Sequence, residues 1–298
     1  MTDPSKTVLA IDVGGTKIAF ADIEDNRPRN RHQIRTPRTG RGEDLVGAIA
    51  KEVSRRRPSR IAVATTGIVS DGCLSALNPG TLSIENGFPL SARIRELTGV
   101  TPLIINDAQA AAWGEYRFGA GQGCRNFMFV TVSTGVGGGL VLDGRLDIGG
   151  AGLAGHVGHM TVVGGDSACG CGRKGCLETL ASGTAIARRF REDSGQVVGA
   201  PEIFEAASNG DQLAERILDQ AAKALAEAFA NIVAAVDLDA VALGGGVGLA
   251  AGFLDRVRRH MSRLPAVFQR QIKPAAAGPD AGLVGVADLV MAKTFITS

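Results

Sequence analysis

The sequence predicts a two-domain α/β protein built by duplication, and two pairs of matching segments carry that expectation. Residues 8–23 (VLAIDVGGTKIAFADI) and 127–142 (FMFVTVSTGVGGGLVL) each read as an apolar run, a glycine-rich turn and a second apolar run. Residues 61–67 (IAVATTG) and 240–246 (AVALGGG) each form a short apolar run ending in glycine, as a strand buried on both faces does. A chain of 298 residues is long enough for two such domains with ample core.

The elements follow in order. Residues 8–23 predict a strand–turn–strand hairpin. Residues 43–57 predict an amphipathic helix through Leu45, Val46, Ile49 and Val53, with Arg55, Arg56 and Arg57 as its solvated end. A buried strand at 61–67 and a helix over 90–97 come next. Residues 103–105 end a strand, and Asp107 opens the alanine-rich helix after it. A boundary near 119–123 divides an N-terminal domain, 1–118, from a C-terminal domain, 119–280. The second half opens with the 127–142 hairpin. A long helix over 211–236 follows, its stripe running through Leu213, Ile217, Leu225, Phe229, Ile232 and Val236. The strand at 240–246 is followed by a last apolar-striped helix over 281–295, and 281–298 joins the N-terminal domain.

Composition narrows the function. Hydrophobic residues make up 45% and charged residues 21%, as in an ordinary globular chain. A net charge of +2 leaves no electrostatic footprint for nucleic acid, and no DNA-binding head fits before Val8. Asp12 and Gly14-Gly15 interrupt the first apolar run too early for a signal peptide, and no run reaches the ~20 residues of a membrane span. Five cysteines, three of them crowded between 169 and 176, do not form a secreted disulfide framework. A cytoplasmic protein with reduced thiols is expected, without nucleic-acid or membrane partners.

Forty-one glycines stand against one Trp and one Tyr, and they cluster at the ends of apolar runs. A Gly-Gly-Thr turn presents backbone amides with no side chain in the way, as a phosphate chain requires. Neither turn is a P-loop, because no G-x-x-x-x-G-K-[ST] occurs. Asp12, just before the first turn, would sit where a magnesium ion on the phosphates could be held. Gly246-x-Gly248-x-x-Ala251 matches a loose dinucleotide fingerprint, but no strongly apolar strand follows to complete a βαβ unit, which disfavours nicotinamide. Asp107 is either the N-cap of its helix or a carboxylate placed to take a proton from a substrate hydroxyl. Asn106 beside it offers both a donor and an acceptor, as a sugar hydroxyl would want. His159, Cys169, Cys171 and Cys176 make one imidazole and three thiolates, a closed tetrahedral set for structural zinc. Cys73 and Cys124 read as core thiols.

Taken together, AIDVGGTK, STGVGGG, and GH followed by CGCGRKGCLE resemble the ROK family of repressors, open reading frames and kinases, from Val8 to the final helix. The resemblance implies the actin-like ATPase (ribonuclease H-like) fold, two α/β domains with a cleft between them, and a sugar kinase that uses ATP and magnesium. Asp107 then matches the general base acting on the sugar 6-hydroxyl. Asn106, His159 and Glu178 match positions holding sugar hydroxyls, and Asn78 in ALNPG matches another. Asp12, Gly14, Gly15, Thr16 and Lys17 match the first phosphate loop. Thr134, Gly135, Gly137 and Gly138 match the second, and Gly244, Gly245 and Gly246 would lie against the adenosine. The family also implies a homodimer.

One departure separates this chain from most sugar kinases of the family, which read Glu-x-Gly-His where this chain reads His156-Val-Gly-His159. That variant, with the LNP and INDAQAAAW segments, resembles the family's bacterial N-acetylmannosamine kinases, and so implies phosphorylation of that sugar in sialic-acid breakdown. The alternatives are a family member acting on glucose, fructose or N-acetylglucosamine, and a non-catalytic sugar-sensing regulator.

Overall fold

A computed structural model describes residues 7–78 and 80–292, with the backbone of 296–297. The chain forms two compact units. The first comprises Met1–Phe118, Arg145–Ala154 and Ala277–Ser298; the second comprises Gly119–Gly144 and Gly155–Ala276.

In the first unit, β1 (Val8–Val13) and β2 (Lys17–Glu24) form the expected hairpin, with Val13 opposite Ile18. β3 (Arg27–Arg35) continues it as an exposed edge strand. Helix α1 (Gly42–Arg56) follows, then β4 (Ile61–Thr65), buried along its whole length and parallel to β1. Arg56 is not fully solvated at the helix end, because it pairs with Glu52 at 2.8 Å and Asp22 at 3.1 Å. The small hairpin of β5 (Ile68–Ser70) and β6 (Cys73–Ser75) leaves Cys73 half-buried rather than in the core. Helix α2 (Leu90–Thr98), β7 (Leu103–Asn106) and α3 (Asp107–Phe118) complete the run. The sheet order is β3-β2-β1-β4-β7, so the carboxyl ends of β1, β4 and β7 lie side by side.

The second unit opens on the hairpin of β8 (Phe127–Val132) and β9 (Val136–Leu142). β10 (Arg145–Asp147) follows in sequence but belongs to the first unit, although the sequence assigned it to the second half. The reason is packing. Leu146 is fully buried, Gln109 Nε2 donates to the Ala154 carbonyl at 2.9 Å, and a side chain at Gly152 would collide with the Val69 carbonyl. Back in the second unit come α4 (Glu178–Ala181), α5 (Gly183–Ser194), α6 (Ala200–Ser208) and α7 (Gln212–Val236). The side chain of Asp211 caps α7 by accepting from the Ala214 amide at 2.9 Å, and α7 packs its apolar stripe into the unit's core. Then come β11 (Ala240–Gly244), α8 (Gly245–Gly248), α9 (Phe253–Met261) and β12 (Gln271–Pro274). β12 runs parallel to β11, so a strand does complete a βαβ unit here. It escaped the sequence because only Ile272 of QIKP is buried.

The chain ends in the first unit with α10 (Ala281–Ala292), and with β13 (Ile296–Thr297) beside β10. Residues 293–295 of the expected last helix lie outside the described residues. α10 crosses α3 at backbone contact: a side chain at Gly114 would meet the Ala281 carbonyl at 2.2 Å, and one at Gly285 the Ala110 carbonyl at 2.0 Å. Small residues in DAQAAAWGEY permit that approach, and Trp113 Nε1 donates to Asp288 at 2.8 Å. No described helix is long and apolar enough to cross a membrane.

Candidate active site

The first unit gathers two carboxylates at the carboxyl ends of parallel strands, where open α/β sheets bind ligands. Asp12 is the last residue but one of β1, just before the glycine turn, and Asp107 follows β7 directly. Both keep part of their surface open while ringed by protein. Burial first and the Asp107 charge second raise the Asp12 pKa to about 6, against Lys17, which lowers it. Burial also raises Asp107, against the Ala108 amide that favours its charged form. A group held ready to accept a proton near neutral pH is what general-base work requires.

Of the two readings left open for Asp107, the structure removes the N-cap. Asn106 caps α3: its Oδ1 accepts from the Ala108 amide at 2.9 Å and the Gln109 amide at 3.2 Å. Its Nδ2 donates to the Gly67 carbonyl at 3.0 Å. Asp107 is instead the first helical residue, its Oδ1 accepting from its neighbour's amide, Ala108 N, at 2.8 Å. Asn106 is therefore a buried bracket whose side chain also hydrogen-bonds Asp107, the carboxylate it holds in place.

The first glycine turn is set by contacts that sequence reasoning missed. Gly14 N donates to the Lys17 carbonyl at 3.0 Å, and Thr36 Oγ1 donates to the Gly14 carbonyl at 2.6 Å. A side chain at Gly15 would lie 1.9 Å from the Thr81 carbonyl. Thr16 and Lys17 are exposed beside it. Asn78 directs its Oδ1 to the Gly80 amide at 3.0 Å, so the expected sugar contact serves here to shape the loop that carries Thr81.

The second unit holds the cysteine cluster. The ligand atoms of His159, Cys169, Cys171 and Cys176 all lie within 4.8 Å of one another. A tetrahedral ion with metal–sulfur bonds near 2.3 Å puts sulfurs about 3.8 Å apart, and a sulfur and a nitrogen about 3.6 Å apart. Cys171 Sγ to Cys176 Sγ is 3.6 Å, and Cys169 Sγ to His159 Nδ1 is 3.6 Å. The donor set therefore fits such an ion with four protein ligands and no open position. Burial holds the His159 imidazole below its ordinary value, in the neutral form a ligand needs. Burial and neighbouring thiols push Cys176 up to about 12, a repulsion that a bound cation relieves.

Glycines let the loop close. A side chain at Gly165 would meet the Gly175 carbonyl at 2.7 Å, and one at Gly175 the Gly165 carbonyl at 2.6 Å. Arg173 spans the loop, donating to the His159 carbonyl and to Thr161 Oγ1, each at 2.9 Å. His156 lies outside the tetrad, in the turn that leads to His159, whose amide donates to the His156 carbonyl at 3.0 Å. Cys124, expected in the core, is half-buried.

The second glycine turn is shorter than expected. Gly137 and Gly138 belong to β9, paired with Thr131 and Val130, and a side chain at Gly138 would strike the Gly155 carbonyl at 2.8 Å. The turn proper is Ser133, Thr134 and Gly135, closed by Ser133 N donating to the Gly135 carbonyl at 2.9 Å. Glu178, the first residue of α4, takes the Val136 amide on Oε2 at 3.0 Å. Of the third glycine group, Gly244 packs against Phe129, and Gly245, at a φ of +83°, lies against the Val132 carbonyl. Only Gly246 faces open space.

Comparison with known proteins agrees with this arrangement. The ROK family model matches residues 8–293. An N-acetylmannosamine kinase of Yersinia pestis (strain Pestoides F) is 44% identical over 284 residues, covering 94% of this chain and 96% of that protein. Among solved structures, the ROK hexokinase of Thermus thermophilus superposes with a TM-score of 0.84 at 34% identity, covering 96% of this chain and 99% of that one. A ROK family glucokinase of Streptomyces griseus, solved with glucose and AMPPNP, gives 0.78 at 32% identity, covering 95% and 98%. These neighbours bear out the fold class expected from the resemblance.

Proposed function

The chain belongs to the ROK family, and we propose that it transfers the γ-phosphoryl group of ATP to the 6-hydroxyl of N-acetyl-D-mannosamine. The observation that carries the chemistry is Asp107, a carboxylate of raised pKa that caps nothing and is fixed by Asn106. It takes the hydroxyl proton as the sugar oxygen attacks phosphorus, and the proton that leaves oxygen goes to the carboxylate. Asp12 suits magnesium, a hard cation that prefers oxygen ligands and offsets phosphate charge when bound. In the first unit the Gly14–Lys17 turn serves the phosphates. In the second, Thr134 and Gly135 do so, and Gly246 offers bare backbone to the adenosine.

The substrate rests on the 44%-identical relative and on His156. A glutamate at this position can only accept hydrogen bonds, whereas neutral imidazole also donates, as the carbonyl of an N-acetyl group requires. Sugar hydroxyls are assigned to Asn78, Asn106, His159 and Glu178. With His159 Nδ1 turned to the metal corner, Nε2 is the atom left for the sugar. The tetrad is assigned to structural zinc, which pins the loop carrying His156 and His159. ATP and reduced thiolates are both found in the cytoplasm, where the reading places the enzyme, as a homodimer.

The test is ADP release measured across a panel of sugars. N-acetylmannosamine should lead glucose and fructose by at least about tenfold in kcat/KM, roughly 1.4 kcal/mol of differential transition-state binding. Equal efficiency on glucose would overturn the substrate, and no ADP release with any sugar would overturn the kinase.

A further inference from the structure

Glu178 stands two residues after the metal-cluster cysteine Cys176, yet its carboxylate turns toward the second glycine turn. Oε2 accepts the Val136 amide at 3.0 Å. A Cβ at residue 135 would lie 2.6 Å from that same oxygen, so glycine there lets the carboxylate sit against the turn undisturbed. The chain after Glu178 continues the attachment. Gly183 N donates to the Ser133 carbonyl at 2.7 Å, Thr184 N to the Thr134 carbonyl at 3.3 Å, and Thr184 Oγ1 to that same carbonyl at 2.9 Å. Ser133, Thr134 and Val136 are thus tied to residues 178–184. Ser182 in that stretch is buried and caps α5 through the Ala185 amide, so the frame itself is rigid.

Among these ties only the Glu178 carboxylate is charged, and a charge-assisted bond to a backbone amide is stronger than a neutral one. We propose that Glu178 is the positioning residue for the second phosphate turn. It holds Val136 and Gly135 so that the amides of the turn meet the nucleotide, in addition to any contact with sugar. This rests on the kinase reading, and it gives Glu178 a role on the nucleotide side that a sugar ligand alone would not have. If Oε1 meets the sugar while Oε2 holds the turn, one carboxylate serves both substrates.

The experiment is titration of the full-length, metal-loaded protein with AMPPNP and magnesium in the absence of sugar. Wild type should bind. Glu178→Ala should weaken that binary affinity about tenfold, the scale expected when a buried amide loses a charged acceptor. Glu178→Gln keeps an acceptor oxygen at the same reach and should stay within about threefold of wild type. Gly135→Ala should weaken nucleotide binding in the wild-type background, and cost less once Glu178 is already alanine and its oxygen no longer stands in the way.

Unchanged nucleotide affinity in Glu178→Ala, with only sugar binding lost, overturns the inference and leaves the kinase reading standing. Equal losses for Glu178→Gln and Glu178→Ala, or strictly additive losses for the pair at 135 and 178, overturn it as well. Failure of the wild type to bind nucleotide at all would instead bring down the kinase reading. Should Glu178→Ala not fold, the comparison of Glu178→Gln with Gly135→Ala carries the test, and equal nucleotide affinity in the two overturns the inference.

Discussion

Replacing Asp107 with asparagine should abolish turnover and at the same time make the protein without ligands more stable. The amide oxygen can still accept from Ala108 N, and the cap belongs to Asn106, so the helix start survives the change. The lost proton acceptor costs about a hundredfold to ten-thousandfold in rate. The stability gain follows from the carboxylate pair. Asp12 rises from 3.8 to about 6 on folding, with burial as the larger cause and the Asp107 charge next. At 1.36 kcal/mol per pKa unit, that shift costs the folded state ~3 kcal/mol once the pH exceeds both values. A raised carboxyl pKa favours folding at low pH, and the advantage is lost as pH climbs from about 4 through about 6. Asp107, raised in the same direction, adds to the penalty at neutral pH. Removing its charge should return about 1 kcal/mol at pH 8, a rise of roughly 2–4 °C in Tm for a chain of this size. Near pH 4.5 the gain should shrink, because burial raises the Asp107 pKa and its carboxylate takes up protons as the pH falls. The assays are coupled ADP release and calorimetry at the two pH values. Turnover within about threefold of wild type would refute the general base. A Tm that falls at pH 8 would refute the electrostatic account and make Asp107 a structural residue.

Three further substitutions test other parts of the site. Cys171→Ser should reduce metal from one zinc per chain to substoichiometric levels by elemental analysis. It should raise the apparent constants for both sugar and ATP, since residues 178–184 tie the metal loop to the phosphate turn. His156→Glu should narrow the preference for N-acetylmannosamine over glucose, chiefly by lowering kcat/KM for the N-acetylated sugar; an unchanged ratio would mean that His156 does not face the 2-substituent. Asn106→Ala removes the cap of α3 and the bond to Gly67, and should cost ~2 kcal/mol in urea denaturation and lower kcat as Asp107 loses its bracket.

What the sequence made legible and what it concealed divide by the range of the contact involved. The hairpins, the buried strands ending in glycine and the long helix were legible because period and turn chemistry are local. The tetrad was legible for a related reason: three thiols fall within eight residues, and metal chemistry allows few other uses for them. At β7 the sequence offered Asn106 and Asp107 side by side, either able to cap α3. The choice turned on which oxygen reaches the Ala108 and Gln109 amides, and three-dimensional placement decides that. β3 and β12 stayed hidden because RPRNRHQIR and QIKP bury almost nothing, and their pairing with β2 and β11 makes them strands.

The glycines carry the contrast furthest. They read as places where backbone approaches phosphate, yet most are held at glycine by protein. Gly15 makes room for the Thr81 carbonyl, Gly138 for Gly155, Gly245 for Val132, and Gly135 for Glu178. A phosphate site needs its turn held rigid before any phosphate arrives, since amides that must be ordered on binding lose affinity to entropy. The partners that hold it lie tens of residues away in the chain. Motif glycines here therefore report the support of the site as much as its contact with ligand. The same separation hid the second duty of Glu178: a carboxylate beside the metal loop looks like a sugar ligand until Val136, 42 residues earlier, is found on its other oxygen.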